Sequence, residues 1–453
     1  MKTISMLVVF VVCTVIAFGM SPQPVWQAIA LEGKLNYPFI SERGGMAYLQ
    51  VTVTTADIGV PSDPKDASHR KPMNLAIVLD RSGSMGDERK MEYAKKAFNS
   101  LIDQLRADDI LSVVIYDDVI DVLRRAKRIG GEKAAIKRLI DEVYPRGSTN
   151  LGGGLLEGLR QAQKNVGREY VNRVILLSDG LANVGITNPT ELKPVVRQAQ
   201  RYRNQSISVT TMGVGLDYNE NLMMGLAESG GGNYYFIERP KDLASIVRKE
   251  MNMLSSVLAQ NATINIKLGN GVRVNDIIGC EYRNESGSFV IPVGDLYAND
   301  RRDFTIELVI PEGTGALTVA RGELRYESDK VSREYPTFSA TVKYTRDYVQ
   351  IEKNRDLEVQ ARADIAVSTR KVEQAMKAMD EGDHVAAERH LEEAQMMLHF
   401  SPAASASGAS GEAVRSQLGK TESYQKEMKD SSGDLRRTKK SIQYDNYRTQ
   451  KNK

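Results

Sequence analysis

Residues 74–84 read NLAIVLDRSGS, and their interpretation governs the rest of the chain. The first seven, Asn74 to Asp80, form an apolar run that ends on a carboxylate. A run with no polar face predicts a strand covered on both sides. Such a strand delivers Asp80 to the carboxyl edge of its sheet. Gly83 lets the following loop bend, so the hydroxyls of Ser82 and Ser84 turn back towards Asp80. All three are hard oxygen donors of the kind that suits Mg2+ or Mn2+.

Outward from this stretch, strands and helices alternate. Helical spacing over 88–105 places Met91, Ala94, Phe98, Leu101 and Leu105 on one stripe. Strands are predicted at 110–116, 173–178, 207–214 and 234–237, with a short one at 119–123. Helices are predicted at 132–143, 151–166, 189–202, 219–228 and 241–257. This alternation predicts an α/β unit over 73–257, a doubly wound, mostly parallel sheet with helices on both faces. Ligands of such sheets bind beyond the carboxyl ends of the strands, where the strand order reverses.

The flanks follow other patterns. Residues 46–54 alternate apolar and polar, as a half-buried strand does. Six strand-like runs between 262 and 344, separated by Gly, Asn, Asp and Pro turns, predict a β-sandwich over 258–346. The N-terminal segment 20–72 is expected to add its strand to that sandwich, which makes the α/β unit an insertion. Residues 347–400 predict a helical hairpin broken at Gly382-Asp383. Gly382, Val385 and Ala394 loosely echo a tetratricopeptide repeat, but one copy is too few to stack. Residues 401–453 hold eleven Lys and Arg against six Asp and Glu, with few core-forming residues. They are expected to form a disordered basic tail.

The start of the chain bears on location. Lys2 precedes an apolar run from Ile4 to Met20, and Ala17 and Gly19 sit at cleavage spacing. A signal peptide over 1–19 is expected, hence an exported chain, periplasmic, extracellular or in the cell envelope. The alternative is an uncleaved N-terminal anchor. No later segment predicts a transmembrane span in the mature chain. Cys13 and Cys280 are the two cysteines, so cleavage leaves one thiol and no internal disulfide. Cys280 is expected to be buried and inert. The net charge of +3 is too small to imply a nucleic acid or a membrane surface as partner.

Taken alone, D-x-S-x-S is a weak pattern, and two further words strengthen it. Gly147-Ser148-Thr149-Asn150 lies between predicted helices, and Ser178-Asp179-Gly180 ends another buried strand. VLDRSGSM (78–85), GSTNLGGGL (147–155) and LLSDGLANVG (176–185) together resemble a von Willebrand factor type A domain with a complete metal-ion-dependent adhesion site. The resemblance covers about 73–257. It implies one divalent cation, Mg2+ first, with Mn2+ or Ca2+ as alternatives. It further implies that Ser82 and Ser84 bind the cation directly and Thr149 directly or through water. Asp80 and Asp179 would act mostly through bridging water. A protein partner presenting an Asp or Glu would fill the open position, since neutral hydroxyl ligands leave the cation electrophilic. The bland alternative is that these residues only cap turns.

Other features carry less. Arg81 is expected at the exposed rim, where it would steer an acidic partner. Gly152-Gly153-Gly154 is no phosphate loop, because G-x-x-x-x-G-K-[ST] is missing. Asp117-Asp118 reads as a turn. His69, His384, His390 and His399 lack metal-ligand spacing near the site, and Asn204, Asn261 and Asn284 head glycosylation sequons.

The expected function is an exported, metal-dependent protein-binding module for adhesion or scaffolding, with no catalytic residues. The alternative is an envelope assembly factor whose cation is mainly structural. A metal-dependent hydrolase is disfavoured, because the matched segments hold no His or Lys base and G-x-S-x-G and H-E-x-x-H are missing. The resemblance also suggests a switch, in which cation occupancy moves the last helix, 241–257.

Overall fold

A computed structural model describes residues 28–57, 70–199, 206–285, 288–328, 335–430 and 434–451. The expected signal peptide, Cys13, His69, Asn204, Ser286 and most of the proline-rich stretch 61–72 lie outside the described residues.

The first strands are β1 (Ile29–Leu35), β2 (Phe39–Ser41) and β3 (Gly45–Thr55). Next come β4 (Met73–Asp80), α1 (Lys90–Gln104), β5 (Ile110–Tyr116), β6 (Ile120–Arg128), α2 (Lys133–Asp141) and α3 (Leu151–Gln163). They are followed by β7 (Val171–Ser178), α4 (Pro189–Ala199), β8 (Ser208–Val214), α5 (Glu220–Ser229), β9 (Gly231–Ile237) and α6 (Leu243–Ser255). One sheet takes the order β6-β5-β4-β7-β8-β9, parallel throughout except for β6. Every residue of β4, β5, β7 and β8 is buried. Alternation along β4 splits its side chains between two cores. Leu75, Ile77 and Leu79 join Phe98 of α1 and Val247 of α6. Ala76 and Val78 join Leu155 of α3 and Leu222 of α5. The chain steps from β4 to β5 on one side and returns to β7 on the other, so the order reverses at β4.

Beyond α6 lie β10 (Val257–Leu268), β11 (Arg273–Ile278), β12 (Arg283–Glu285), β13 (Ser288–Tyr297), β14 (Arg301–Ile310), β15 (Ala316–Glu327) and β16 (Thr337–Thr345). They form a four-stranded sheet, β1-β3-β14-β11, and a six-stranded sheet, β12-β13-β10-β15-β16-β2. Leu49, Val51, Ile264, Ile306, Leu324 and Val342 share one core drawn from both sheets. β3 pairs antiparallel with β14 from Gly45 opposite Ile310 to Thr54 opposite Arg301. The strands before and after the α/β segment therefore meet in one sheet.

The α/β segment is joined to these sheets by buried charge. Arg173 of β7, fully buried, donates to Asp295 Oδ2 at 2.9 Å and to the Tyr297 hydroxyl at 3.0 Å, both on β13. On the same side Glu250 of α6 accepts from Thr210, Asn233 and Tyr235.

Five helices follow: α7 (Tyr348–Lys353), α8 (Leu357–Asp380), α9 (His384–His399), α10 (Ala409–Asp430) and α11 (Leu435–Lys451). The last two correct the expectation of a disordered tail over 401–453. Their few apolar residues fall where they can be buried: Val414 and Tyr424 on α10, Ile442 and Tyr447 on α11. Their basic residues find carboxylates on and beside α5. Lys440 pairs with Glu220 and lies 4.1 Å from the Tyr218 ring centroid, Lys439 reaches Glu220 at 2.8 Å, and Lys451 reaches Glu228 at 3.2 Å. Tyr447 stacks edge-on against Tyr234 of β9. Composition counts apolar residues but does not show which face they share. No helix among the described residues is long and apolar enough to cross a membrane.

Breaking a buried pair from one side leaves the other charge uncompensated, at a cost of about 3–5 kcal/mol. Asp295→Ala removes the nearer carboxylate of Arg173 and leaves Glu250 at 4.0 Å, so a loss towards the lower end of that range is expected in urea denaturation. Arg239→Ala, which removes the exposed pair with Asp242, should leave the midpoint nearly unchanged.

Candidate metal centre

β4 ends on Asp80 and its parallel neighbour β7 ends on Ser178, so the loops that follow open at one edge. Asp80 shapes the first loop. Its Oδ1 accepts the Ser82 N–H at 2.8 Å, and its Oδ2 accepts the Ser178 hydroxyl at 2.6 Å. The Ser82 N–H is thereby used up, and the Ser82 side chain is left beside Ser84, with the two Oγ atoms 3.2 Å apart. Ser84 donates to Asp179 Oδ1 at 2.9 Å.

A third loop is sewn to the first by backbone hydrogen bonds. Gly83 N–H donates to the Gly147 carbonyl at 3.1 Å and Arg146 N–H to the Arg81 carbonyl at 2.7 Å. Gly147 takes a positive φ of 68°, which a residue with a side chain rarely adopts. Thr149 is then fixed from the Asp179 loop. Its N–H donates to Asn183 Oδ1 at 2.8 Å, and its carbonyl accepts the Asn183 N–H at 3.1 Å. A methyl group added at Gly180 would lie 3.1 Å from Thr149 Oγ1 and 3.5 Å from Ser84 Oγ. The bare Cα of Gly180 thus floors a small cradle, and Asp80, Ser82, Ser84, Thr149 and Asp179 all come to this edge.

The donor set fits a hard divalent cation. Two adjacent ligands of an octahedral ion with ~2.1 Å bonds stand about 3 Å apart, close to the observed separation of Ser82 and Ser84. Charge points the same way. Burial pushes the Asp80 carboxyl up to about 6, the bonds from Ser178 and Ser82 offsetting this in part. Burial likewise raises Asp179, against the pull of Lys90. Two buried carboxylates face one ammonium, so the edge carries net negative charge.

Lys90 lies outside the three quoted words, which hold neither His nor Lys, and sequence reasoning missed it. Its Nζ lies 2.8 Å from Asp179 Oδ2, with both side chains buried. The only signal is its position at the start of α1, since its partner lies 89 residues away. Ser178 and Asn183 stand inside quoted words but acquire roles only from the geometry. Arg81 is a correction. It is buried, not exposed at the rim, and is held by Asp117 at 2.9 Å and Asp121 at 2.6 Å. Asp117 also takes Arg146 at 2.7 Å, so this acid ties two loops together as well as making a turn. Gly152 and Gly154 give close approach to the Ile186 carbonyl and the Tyr116 ring. Cys280 is a free, partly buried thiol that burial pushes up to about 12.

A doubly wound sheet with an oxygen-rich cradle at its switch point defines a class, and comparison with known proteins agrees. Residues 74–249 match the family model of the von Willebrand factor type A domain, and this part of the chain is such a domain. Domains of this family mediate protein–protein contacts and often hold a divalent metal at this edge. The Escherichia coli protein YfbK is 30% identical over 195 residues, 43% of this chain and 33% of its own length. The chain thus matches only about a third of that relative. The Synechocystis protein sll0103 is 26% identical over 349 residues, 74% of this chain and 81% of its own. The solved structure of a von Willebrand factor type A protein from Catenulispora acidiphila superposes with a TM-score of 0.67 at 17% identity. It covers 84% of this chain and 88% of that one, which establishes likeness of fold.

The raised Asp80 carboxyl has a signed consequence. Its folded value, about 6, exceeds the ordinary 3.8, so ionisation destabilises the cation-free fold. The cost is absent below pH 4, grows between 4 and 6 and is constant above, reaching about 3 kcal/mol. In chelator, Asp80→Asn should therefore denature later than the wild type above pH 6, with the advantage vanishing towards pH 4.

Proposed function

We propose that the chain is a cation-dependent protein-binding module, exported from the cell, that captures an Asp or Glu side chain of its partner. The observation that carries this reading is the cradle at Gly180, around which neutral hydroxyls and two buried carboxylates gather. In it Ser82 and Ser84 would hold Mg2+ directly and Thr149 directly or through water, while Asp80 and Asp179 would act mostly through bridging water and orient the hydroxyls. A bound cation supplies a Lewis-acidic position that a carboxylate occupies in exchange for water. The protein's own share is preorganisation. Asn183 fixes Thr149, Ser178 fixes Asp80, and the Arg81–Asp117–Arg146 cluster locks the loops, so little ordering is left to be done at binding. Lys90 is ion-paired with Asp179 at 2.8 Å. The apolar run at 4–20 supports export.

The test is capture from a peptide library in which each Asp or Glu member has an Asn or Gln twin. With Mg2+, the chain should retain acidic members and lose them in chelator. The double variant Ser82→Ala/Ser84→Ala should lower retention at least tenfold, and Thr149→Ala several-fold. Equal retention of acidic members and their amide twins, or retention that survives chelator, would sink the proposal.

A further inference from the structure

We infer that Lys90 sets the charge of the cation site, leaving a bound divalent ion with positive charge that favours a carboxylate over water at the open position. This rests on the cation reading above.

The argument is a charge balance over buried groups. Asp80 and Asp179 bring two negative charges to the edge, and the Lys90 ammonium, 2.8 Å from Asp179, brings one positive. The guanidinium groups of Arg81 and Arg146 are met by Asp117 and Asp121, so that cluster cancels internally. A divalent cation then leaves the centre at +1, and an incoming carboxylate brings it to neutrality. With a neutral residue at position 90, the two carboxylates cancel the cation, and an anionic ligand would add uncompensated charge. In a buried setting such charges interact far more strongly than in water.

The structure also holds Lys90 where this balance needs it. Its stem runs beside Gly215, where an added methyl would lie 3.2 Å from Cε. It borders a cavity of about 370 Å³ whose wall includes Asp217 and Glu238. Those two carboxylates are engaged by Arg436 at 2.8 Å and Arg437 at 3.3 Å, from the first turn of α11. Glu88 and Asp434 also line this cavity, and of these carboxylates and Asp179 it is Asp179 that Lys90 pairs with, at 2.8 Å. Lys90 is in this sense a positioning residue, tuning the ion without ligating it.

The test uses the full chain and Mn2+, with affinity read from the electron paramagnetic resonance signal of the free ion. Acetate serves as the carboxylate probe. Lys90→Met should bind Mn2+ about tenfold more tightly than the wild type or better, since the competing ammonium is gone. Acetate should tighten Mn2+ binding to the wild type and do so less for Lys90→Met. These opposite effects separate charge tuning from a merely structural role, which would weaken both. Lys90→Gln keeps a hydrogen-bond donor without the charge and should behave like Lys90→Met, which covers the case in which the methionine variant does not fold. Lys90→Arg should stay near the wild type. Neutral variants that bind Mn2+ no more tightly, or that keep the full acetate effect, overturn the inference. Failure of the wild type to bind Mn2+ is a distinct result, overturning the cation reading itself.

Discussion

Two carboxylates, Asp80 and Asp179, are buried side by side at the ends of adjacent parallel strands, and much of the surrounding architecture answers to that constraint. Buried charge must be paired, solvated by fixed dipoles or neutralised. Asp80 accepts from the Ser82 N–H and the Ser178 hydroxyl, yet burial still raises it. Asp179 has the Lys90 ammonium and the Ser84 hydroxyl. The compensation is partial, and the local hydroxyls, the bare Gly180 and the Asn183 clamp on Thr149 all surround the place where positive charge is lacking. A core built only for stability would gain more from apolar residues at the same positions.

The same logic recurs at the opposite ends of these strands with the sign reversed. There Arg173 is the fully buried group, and Asp295, Tyr297 and Glu250 gather round it. Asp295 and Tyr297 come from β13, so the α/β segment and the β-sheets share one ionic junction. The C-terminal helices add a further contact, in which basic residues of α11 meet Asp217, Glu220 and Glu228 on and beside α5.

What the sequence makes legible follows from how local each signal is. NLAIVLD declares a doubly covered strand because no polar residue interrupts it. Asp80, Ser82, Ser84, Thr149 and Asp179 stand in short words at strand or helix ends, and the order of a doubly wound sheet brings such ends to one edge. Lys90 is different, since its role depends on a carboxylate 89 residues away, and nothing in the neighbouring residues announces it. Arg81 was misplaced for the same reason, because its burial depends on Asp117 and Asp121 across the β5–β6 hairpin. The tail was misjudged by composition. Ile442 and Tyr447 are few, but five residues apart on a helix they dock against α8 and β9, and Lys439, Lys440 and Lys451 on either side of them are matched by α5. A solvated run and a docked helix of this kind differ in their partners, which lie elsewhere in the chain.

These contacts also bear on how the cation site communicates. A sliding last helix would have to carry Glu250 of α6 out of its pocket, where it accepts from Thr210, Asn233 and Tyr235 and lies 4.0 Å from Arg173. Hydrogen bonds to a charged group contribute about 1.5–3 kcal/mol each. Losing three exceeds the 1–3 kcal/mol typical of coupling between ligand sites. Thr210 and Tyr235 belong to β8 and β9, so α6 is held in register with the sheet itself. The energetics therefore favour a centre whose response is electrostatic and local. On the proposed reading, the charge of a bound ion and its neighbours, rather than movement of α6, would govern what the open position accepts.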